Sequence, residues 1–259
     1  MQKRGQVTVF VIVALLVLGL SALIFVLNER ITPEIKPVDT APVQQFVESC
    51  LQKTLSEGIS FIAENGGYNH LPELSSSDAF HNAPYYVYLG EDTSPTLQSI
   101  QRQLADYITS QLPFCIQQFK AFPYTISFSE ISTRVSILLG MVDADISFPI
   151  TIEQGEQQAT LDTFRVSQPS SLFEMYSASQ EIVDYTLLFD NAICFDCIDD
   201  TAQKNNLQIS VLEFKLDELF YIIEDLDKEL VYRFASKHQD LPESDIVNYN
   251  FIPGEIPWE

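Results

Sequence analysis

The chain has 259 residues, with 36 Asp and Glu against 14 Lys and Arg, for a formal net charge of −22. An acidic excess of this size repels phosphate backbones and anionic lipid headgroups, which excludes nucleic acid as a partner through a basic groove. The residues beyond the first apolar segment are numerous enough for one large core or two modest ones.

The first predicted element is a helix. Residues 7–27 are apolar except for Thr8, Gly19 and Ser21, and no charge falls between Gln6 and Asn28. At about 1.5 Å per residue these positions span roughly 31 Å, the thickness of a bilayer's hydrocarbon core. Lys3 and Arg4 precede the segment and all 36 acidic residues follow it. The positive-inside rule therefore keeps the amino terminus cytoplasmic and exports the rest. A disposable leader has a shorter apolar run with a small-residue cleavage site beyond it, and Asn28-Glu29-Arg30-Ile31-Thr32-Pro33 offers none. The expected division is a basic leader over 1–5, a transmembrane helix over 6–28 and a stalk over 29–42 carrying Pro33, Pro37 and Pro42. An extracytoplasmic domain then covers 43–238, with a subdivision point near 190–205, and a polar tail follows over 239–259.

Lys3-Arg4-Gly5-Gln6 and the apolar helix behind it resemble the class III signal of archaeal type IV pilins and pilin-like proteins. The resemblance implies a prepilin peptidase as processing partner, with cleavage between Gly5 and Gln6, and pilin-like subunits as packing partners of the helix. Such pilins often continue Q-x-S-x-E-x-x-x-L. Here Gln6 matches and Thr8 stands near the serine, but Phe10 occupies the glutamate position and Leu15 lies one place beyond the leucine. The chain is also similar to uncharacterised archaeal surface proteins with the same Lys-Arg-Gly-Gln anchor. Their cysteine-bearing first ectodomain helix closes on two glycines, as Glu48-Ser49-Cys50-Leu51 and Gly66-Gly67-Tyr68 do here. That likeness imports no activity.

Apolar steps of three and four at Val43, Phe46, Val47, Cys50, Leu51, Leu55, Ile59 and Ile62 predict an amphipathic helix ended by Gly66-Gly67. Residues 68–95 read as a long surface loop holding one short strand at 85–89, whose Tyr85, Tyr86 and Tyr88 suit a recognition surface. A second helix follows with Leu97, Ile100, Leu104, Tyr107, Ile108 and Leu112 on one face, kinked or restarted at Pro113. Beyond Pro123 the period falls to two. Segments 124–131, 134–139, 141–152 and 158–166, punctuated by Gly140 and Gln154-Gly155-Glu156, predict a three- or four-stranded antiparallel sheet. Ser170 or Ser171 caps a third helix, and 207–214, 219–223 and 230–235 predict a second small sheet. The fold class is α+β: a transmembrane helix, then amphipathic helices packed on antiparallel sheets.

Four cysteines in an exported chain imply disulfides, and three pairings are open. The favoured one joins Cys50 to Cys115 and Cys194 to Cys197. Cys194-Phe195-Asp196-Cys197 also fits a redox motif, but the neighbouring Asp190, Asp196, Asp199 and Asp200 disfavour a thiolate, so a structural ring is the preferred reading. Zinc would need further ligands from Cys50, Cys115 or His238. Calcium at Asp196, Asp199 and Asp200 lacks the D-x-D-x-D-G spacing, and these residues read as a solvated turn. No G-x-S-x-G, P-loop or H-E-x-x-H sequence occurs, and His70 and His81 sit in the polar loop. The reading is a membrane-anchored surface protein without cofactor or catalytic assignment, structural or assembly-related in a surface filament or envelope. Its alternative is a permanently anchored ectodomain that binds a ligand or surface partner.

Overall fold

The computed structural model describes residues 5–31, 38–77, 82–116, 119, 122–188, 193–215, 217–238 and 249–251. The chain divides into two compact units, Met1–Val38 and Asp39–Glu259. The described part of 190–205 falls within the second unit.

In the first unit, α1 (Gly5–Ile31) is one uninterrupted helix. Its stretch 9–26 is long and apolar enough to cross a membrane, and none of that stretch is buried. An apolar helix without a polar face cannot be satisfied by water. Its one serine in that stretch spends its hydroxyl locally, Ser21 Oγ donating to the Leu18 carbonyl at 2.9 Å. The helix overruns the expected boundary at 28. The next helix begins at Ala41, so both ends of the expected 29–42 stalk are helical, while 32–37 lie outside the described residues.

The second unit opens with α2 (Ala41–Glu64), which carries Pro42 in its first turn, where a missing N–H costs nothing. Asp39 Oδ1 accepts from the Ala41 N–H at 3.1 Å. Its buried stripe holds Val43, Val47, Cys50, Leu51, Leu55, Ile59 and Ile62. The helix ends because Gly66 adopts a left-handed φ of +56°, conformation that a side chain resists. Helix α3 (Leu97–Ile116) packs along α2. Gly58 allows the close approach, since a Cβ there would meet Leu104 Cδ1 and Tyr107 Cδ1 at 2.8 Å. Pro113 neither breaks nor restarts α3, which runs on to Ile116. Proline so near the end of the helix forfeits little of the ladder.

Four strands form the first sheet: β4 (Thr125–Phe128), β5 (Ser132–Leu138), β6 (Met141–Gln154) and β7 (Gln157–Pro169). The long β6 is central. β7 follows one edge over its whole length, while β5 and β4 share the other, opposite 141–147 and 150–153. Pro149, without an N–H to give to the ladder, sits where the β6–β7 register shifts. Alternate residues Val142, Ala144, Ile146, Phe148, Ile150 and Ile152 face inward and are buried.

The second sheet is larger than expected. It holds β1 (Ser75–Ser77), β2 (Asn82–Tyr88), β3 (Glu91–Asp92), β8 (Gln208–Lys215), β9 (Glu218–Asp225), β10 (Leu230–Lys237) and β11 (Tyr249–Phe251), in the order β1-β2-β10-β9-β8-β11 with β3 on β2. Two expectations are corrected here. Residues 82–88 form an inner strand rather than part of a surface loop, and β2 joins β10 in parallel, so the sheets are not purely antiparallel. No hairpin links β2 to β10, so no turn fixes their relative direction; the run 83–87, buried at every position, suits a strand covered on both faces. Tyr86 and Tyr85 are consequently core residues and not a recognition surface. Rings of Tyr86, Phe234 and Tyr221 stack across β2, β10 and β9 at 4.6 and 4.7 Å. The polar tail contributes β11, paired antiparallel to β8; the rest of 239–259 lies outside the described residues.

Helices α4 (Leu172–Leu188) and α5 (Phe195–Asn205) complete the unit. Ser170 Oγ accepts from the Leu172 N–H at 3.2 Å, as the expected cap. α2 and α4 touch strands of both sheets, so the helices form a layer between them, and α5 rests on α4 and β8.

Candidate functional site

The outer face of the four-stranded sheet is polar because β-alternation turns every second residue of β5, β6 and β7 away from the helices. Register aligns three rows across these strands: Ser136–Asp143–Ser167, Arg134–Asp145–Arg165 and Ser132–Ser147–Thr163. The second and third rows line an open hollow of about 610 Å³. Arg165 pairs with Asp145, and Ser167 Oγ donates to Asp143 Oδ1 at 2.6 Å. Arg134 stands directly opposite Asp145 on the other side yet has no ion-pair partner among the described residues. In a chain this acidic, two exposed guanidinium groups among Asp143, Asp145 and a row of hydroxyls form a charge-balanced, hydrogen-bonding surface, with Arg134 its unpaired cation among the described residues. Chemically it suits carboxylates and hydroxyl-rich polymers.

A second polar cluster is closed off. Glu218, 3% exposed, accepts from Tyr85 Oη at 2.7 Å, Ser76 Oγ at 3.3 Å and Lys237 Nζ at 3.1 Å. Lys237 also pairs with Asp217 at 3.1 Å. Burial and the hydrogen bond to Glu218 push the Tyr85 hydroxyl up to about 12. Ser236 Oγ lies 2.9 Å from His238 Nε2, an arrangement that in a cleft would suggest a nucleophile and its base. Here Ser236 is 1% exposed and His238 is buried, and burial lowers the imidazole below its ordinary value. The pair serves packing. His238 is thus spent within the sheet, and it has no free thiolate to join in a zinc site because all four cysteines are in disulfides.

The sequence-predicted residues fall as follows. Gly5 and Gln6 open α1; Lys3 and Arg4 lie outside the described residues. Cys50 of α2 and Cys115 of α3 are bonded, with Cα atoms 5.8 Å apart. Cys194 and Cys197 are bonded with Cα atoms 5.2 Å apart. Asp196, Asp199 and Asp200 stand on α5 and not in a turn, because Cys194 caps a helix that Asn206 closes in a left-handed conformation. Asp199 Oδ2 accepts from Gln203 Nε2 at 2.7 Å, and no group of three or more acidic, His or Cys side chains converges on a metal position among the described residues. His70 is exposed; His81 is outside the described residues. The sequence reading missed the Arg134–Asp145–Arg165 row, although the two turns it placed near Gly140 and Gly155 set the register that creates it.

Comparison with protein-family models, with curated proteins and with solved structures gives no match for this chain.

Proposed function

We propose that the protein is a single-pass membrane-anchored surface protein, pilin-like at its amino terminus, that carries its second unit outside the cytoplasm and offers the outer face of the four-stranded sheet to a partner. The observation that carries this reading is α1, whose stretch 9–26 leaves every apolar side chain without protein cover. Lipid supplies that cover at the lowest cost. Lys3 and Arg4 before the helix, with all acidic residues after it, support a cytoplasmic amino terminus. Two disulfides support an oxidising compartment for the globular unit. Arg134 and Arg165 support a partner rich in carboxylates or hydroxyls, such as an acidic surface polymer.

The Lys3-Arg4-Gly5-Gln6 sequence favours a second, related reading. After cleavage by a prepilin peptidase, α1 would be drawn out of the membrane and bundled with pilin-like subunits in a surface filament. Phe10, in place of the glutamate that meets a neighbour's amino terminus, favours the anchor over a major filament subunit.

Alkaline extraction, protease accessibility and intact mass of the full-length protein in membranes test the proposal. Retention in the lipid fraction, digestion of the globular unit from the extracytoplasmic side only, and a new terminus at Gln6 are expected. Leu16→Arg, near mid-helix, should cost about 3 kcal/mol of insertion and release a measurable fraction. A freely soluble full-length chain with four reduced thiols overturns the anchor. An intact Met1 overturns only its pilin-like processing.

A further inference from the structure

The two disulfides differ in how the fold holds them. Cys50–Cys115 ties α2 to α3 across 65 residues, and Cys50 is 3% exposed. Cys194–Cys197 is a ring across two intervening residues, and both of its cysteines are partly exposed. α5 is fixed from its far side instead. Ile198, Thr201 and Ala202 are buried, Thr201 Oγ1 donates to Glu181 Oε2 at 3.1 Å, and Lys204 pairs with Glu181. The ring can open without releasing the helix.

The ring also sits where a thiolate is stabilised. Cys194 is the N-cap of an 11-residue helix, and its sulfur accepts from the Cys197 N–H at 3.3 Å. An amide aimed at the sulfur, with the helix's positive end behind it, favours the ionised form. The aspartates weigh against this from greater exposure. Asp196 and Asp200 are exposed, where water and salt screen them, and Asp199 is engaged by Gln203. The direct N–H contact is not screened in that way.

We propose that Cys194–Cys197 is a thiol–disulfide exchange site, with Cys194 the attacked and attacking sulfur and a pair of thiols on another polypeptide the substrate. A substrate thiolate attacks Cys194 Sγ, forming a mixed disulfide and expelling Cys197 as a thiolate, which takes up a proton. The second substrate thiol, losing its proton, attacks the substrate sulfur of that mixed disulfide and expels Cys194, whose thiolate rests on the Cys197 N–H. One protein disulfide is reduced and one substrate disulfide forms, with two electrons passing to the protein. The chemistry holds whichever surface role the whole protein has.

Two measurements on the full-length protein in detergent test this, with circular dichroism as the control for folding. Under limiting dithiothreitol, differential alkylation read by mass spectrometry should show Cys194–Cys197 opening at least about tenfold faster than Cys50–Cys115, with helix content retained. With oxidised glutathione, Cys197→Ser should form a mixed disulfide at Cys194 about tenfold faster than Cys194→Ser forms one at Cys197. Opening of both disulfides only together with loss of structure, or equal glutathione rates in the two variants, overturns the proposal.

Discussion

Cys50 and Cys115 lie 65 residues apart in the chain and 5.8 Å apart at their Cα atoms, which makes the α2–α3 pair a closed loop before any sheet is counted. In the chain-entropy description, closing such a loop contributes about 4 kcal/mol, against about 2 kcal/mol for the short ring at Cys194–Cys197. Replacing Cys50 and Cys115 together by alanine should therefore lower the unfolding free energy by about twice as much as replacing Cys194 and Cys197. Denaturant titration compares them directly, with a larger m-value expected for the Cys50/Cys115 variant, whose unfolded chain is no longer cross-linked across 65 residues. Equal losses would contradict the assignment of a structural role to the first pair alone.

Glu218 and Lys237 stand side by side on β9 and β10 at the enclosed end of the larger sheet. Lys237→Met removes this cation from beside a nearly inaccessible carboxylate that still accepts from Tyr85 and Ser76. The expected loss is about 2–3 kcal/mol, below the full cost of an orphaned buried charge because those donors remain. Adding Glu218→Gln to Lys237→Met should recover more than half of it, since the amide oxygen still accepts from Tyr85. A double-mutant cycle by chemical unfolding measures the coupling, and additive effects would show that the pair does not act as a unit.

The parts of this fold that were legible in the sequence are those set by neighbours along the chain. The apolar stripe from Val43 to Ile62, the hairpin turns at Gly140 and Gly155 and the run 219–223 each encode their element locally. What escaped was the consequence of distance. β2 reads locally as a short strand within a loop because its partner β10 begins some 140 residues later, and no local pattern announces a parallel neighbour. The aspartates at 196, 199 and 200 read as a turn because a short polar helix has too little apolar periodicity; only Ile198 and Ala202 mark its inner side, and the Cys194 cap is visible only in three dimensions. The Arg134–Asp145–Arg165 row is legible in retrospect, since two adjacent turns and strict alternation fix it without long-range information. Its chemistry was overlooked because isolated arginines in an acidic chain look like solvated charge.

Stability should fall at both ends of the pH range for different reasons. Burial raises the hydroxyls of Tyr86, Tyr221 and Tyr232 above 10.0, and Tyr85 reaches about 12. A raised folded value means that these tyrosines stabilise fully below pH 10.0. Above it the unfolded chain ionises first, and that contribution is lost as the pH rises through the folded values. His238 behaves in the opposite sense: its folded value lies below 6.5, so the neutral imidazole's contribution is present above pH 6.5 and is lost as the pH falls through the folded value. Unfolding midpoints across this range, with tyrosinate absorbance followed at the alkaline end, should show ionisation appearing together with unfolding. His238→Asn should flatten the slope just below pH 6.5. Tyrosine ionisation complete near pH 10 in a fully folded protein would contradict the buried hydroxyls.

Gly66 and Gly90 both adopt left-handed φ, +56° and +87°, and differ in what surrounds them. A Cβ at Gly66 would fall 2.5 Å from the Arg233 carbonyl oxygen on β10 and 2.6 Å from Pro84 Cγ, whereas one at Gly90 meets nothing within 4 Å. Gly90→Ala then reports the conformational cost alone, about 1 kcal/mol. Gly66→Ala adds a collision with backbone that cannot rotate away, just where the Tyr86 hydroxyl donates to the Gly66 carbonyl at 2.9 Å. Its expected cost is about 3 kcal/mol, the sum of a left-handed alanine and an overpacked contact. Thermal and denaturant unfolding of the two variants separates these contributions. Equal losses would mean that the end of α2 can draw back from β10, and that the helix layer is less tightly joined to the larger sheet than this contact requires.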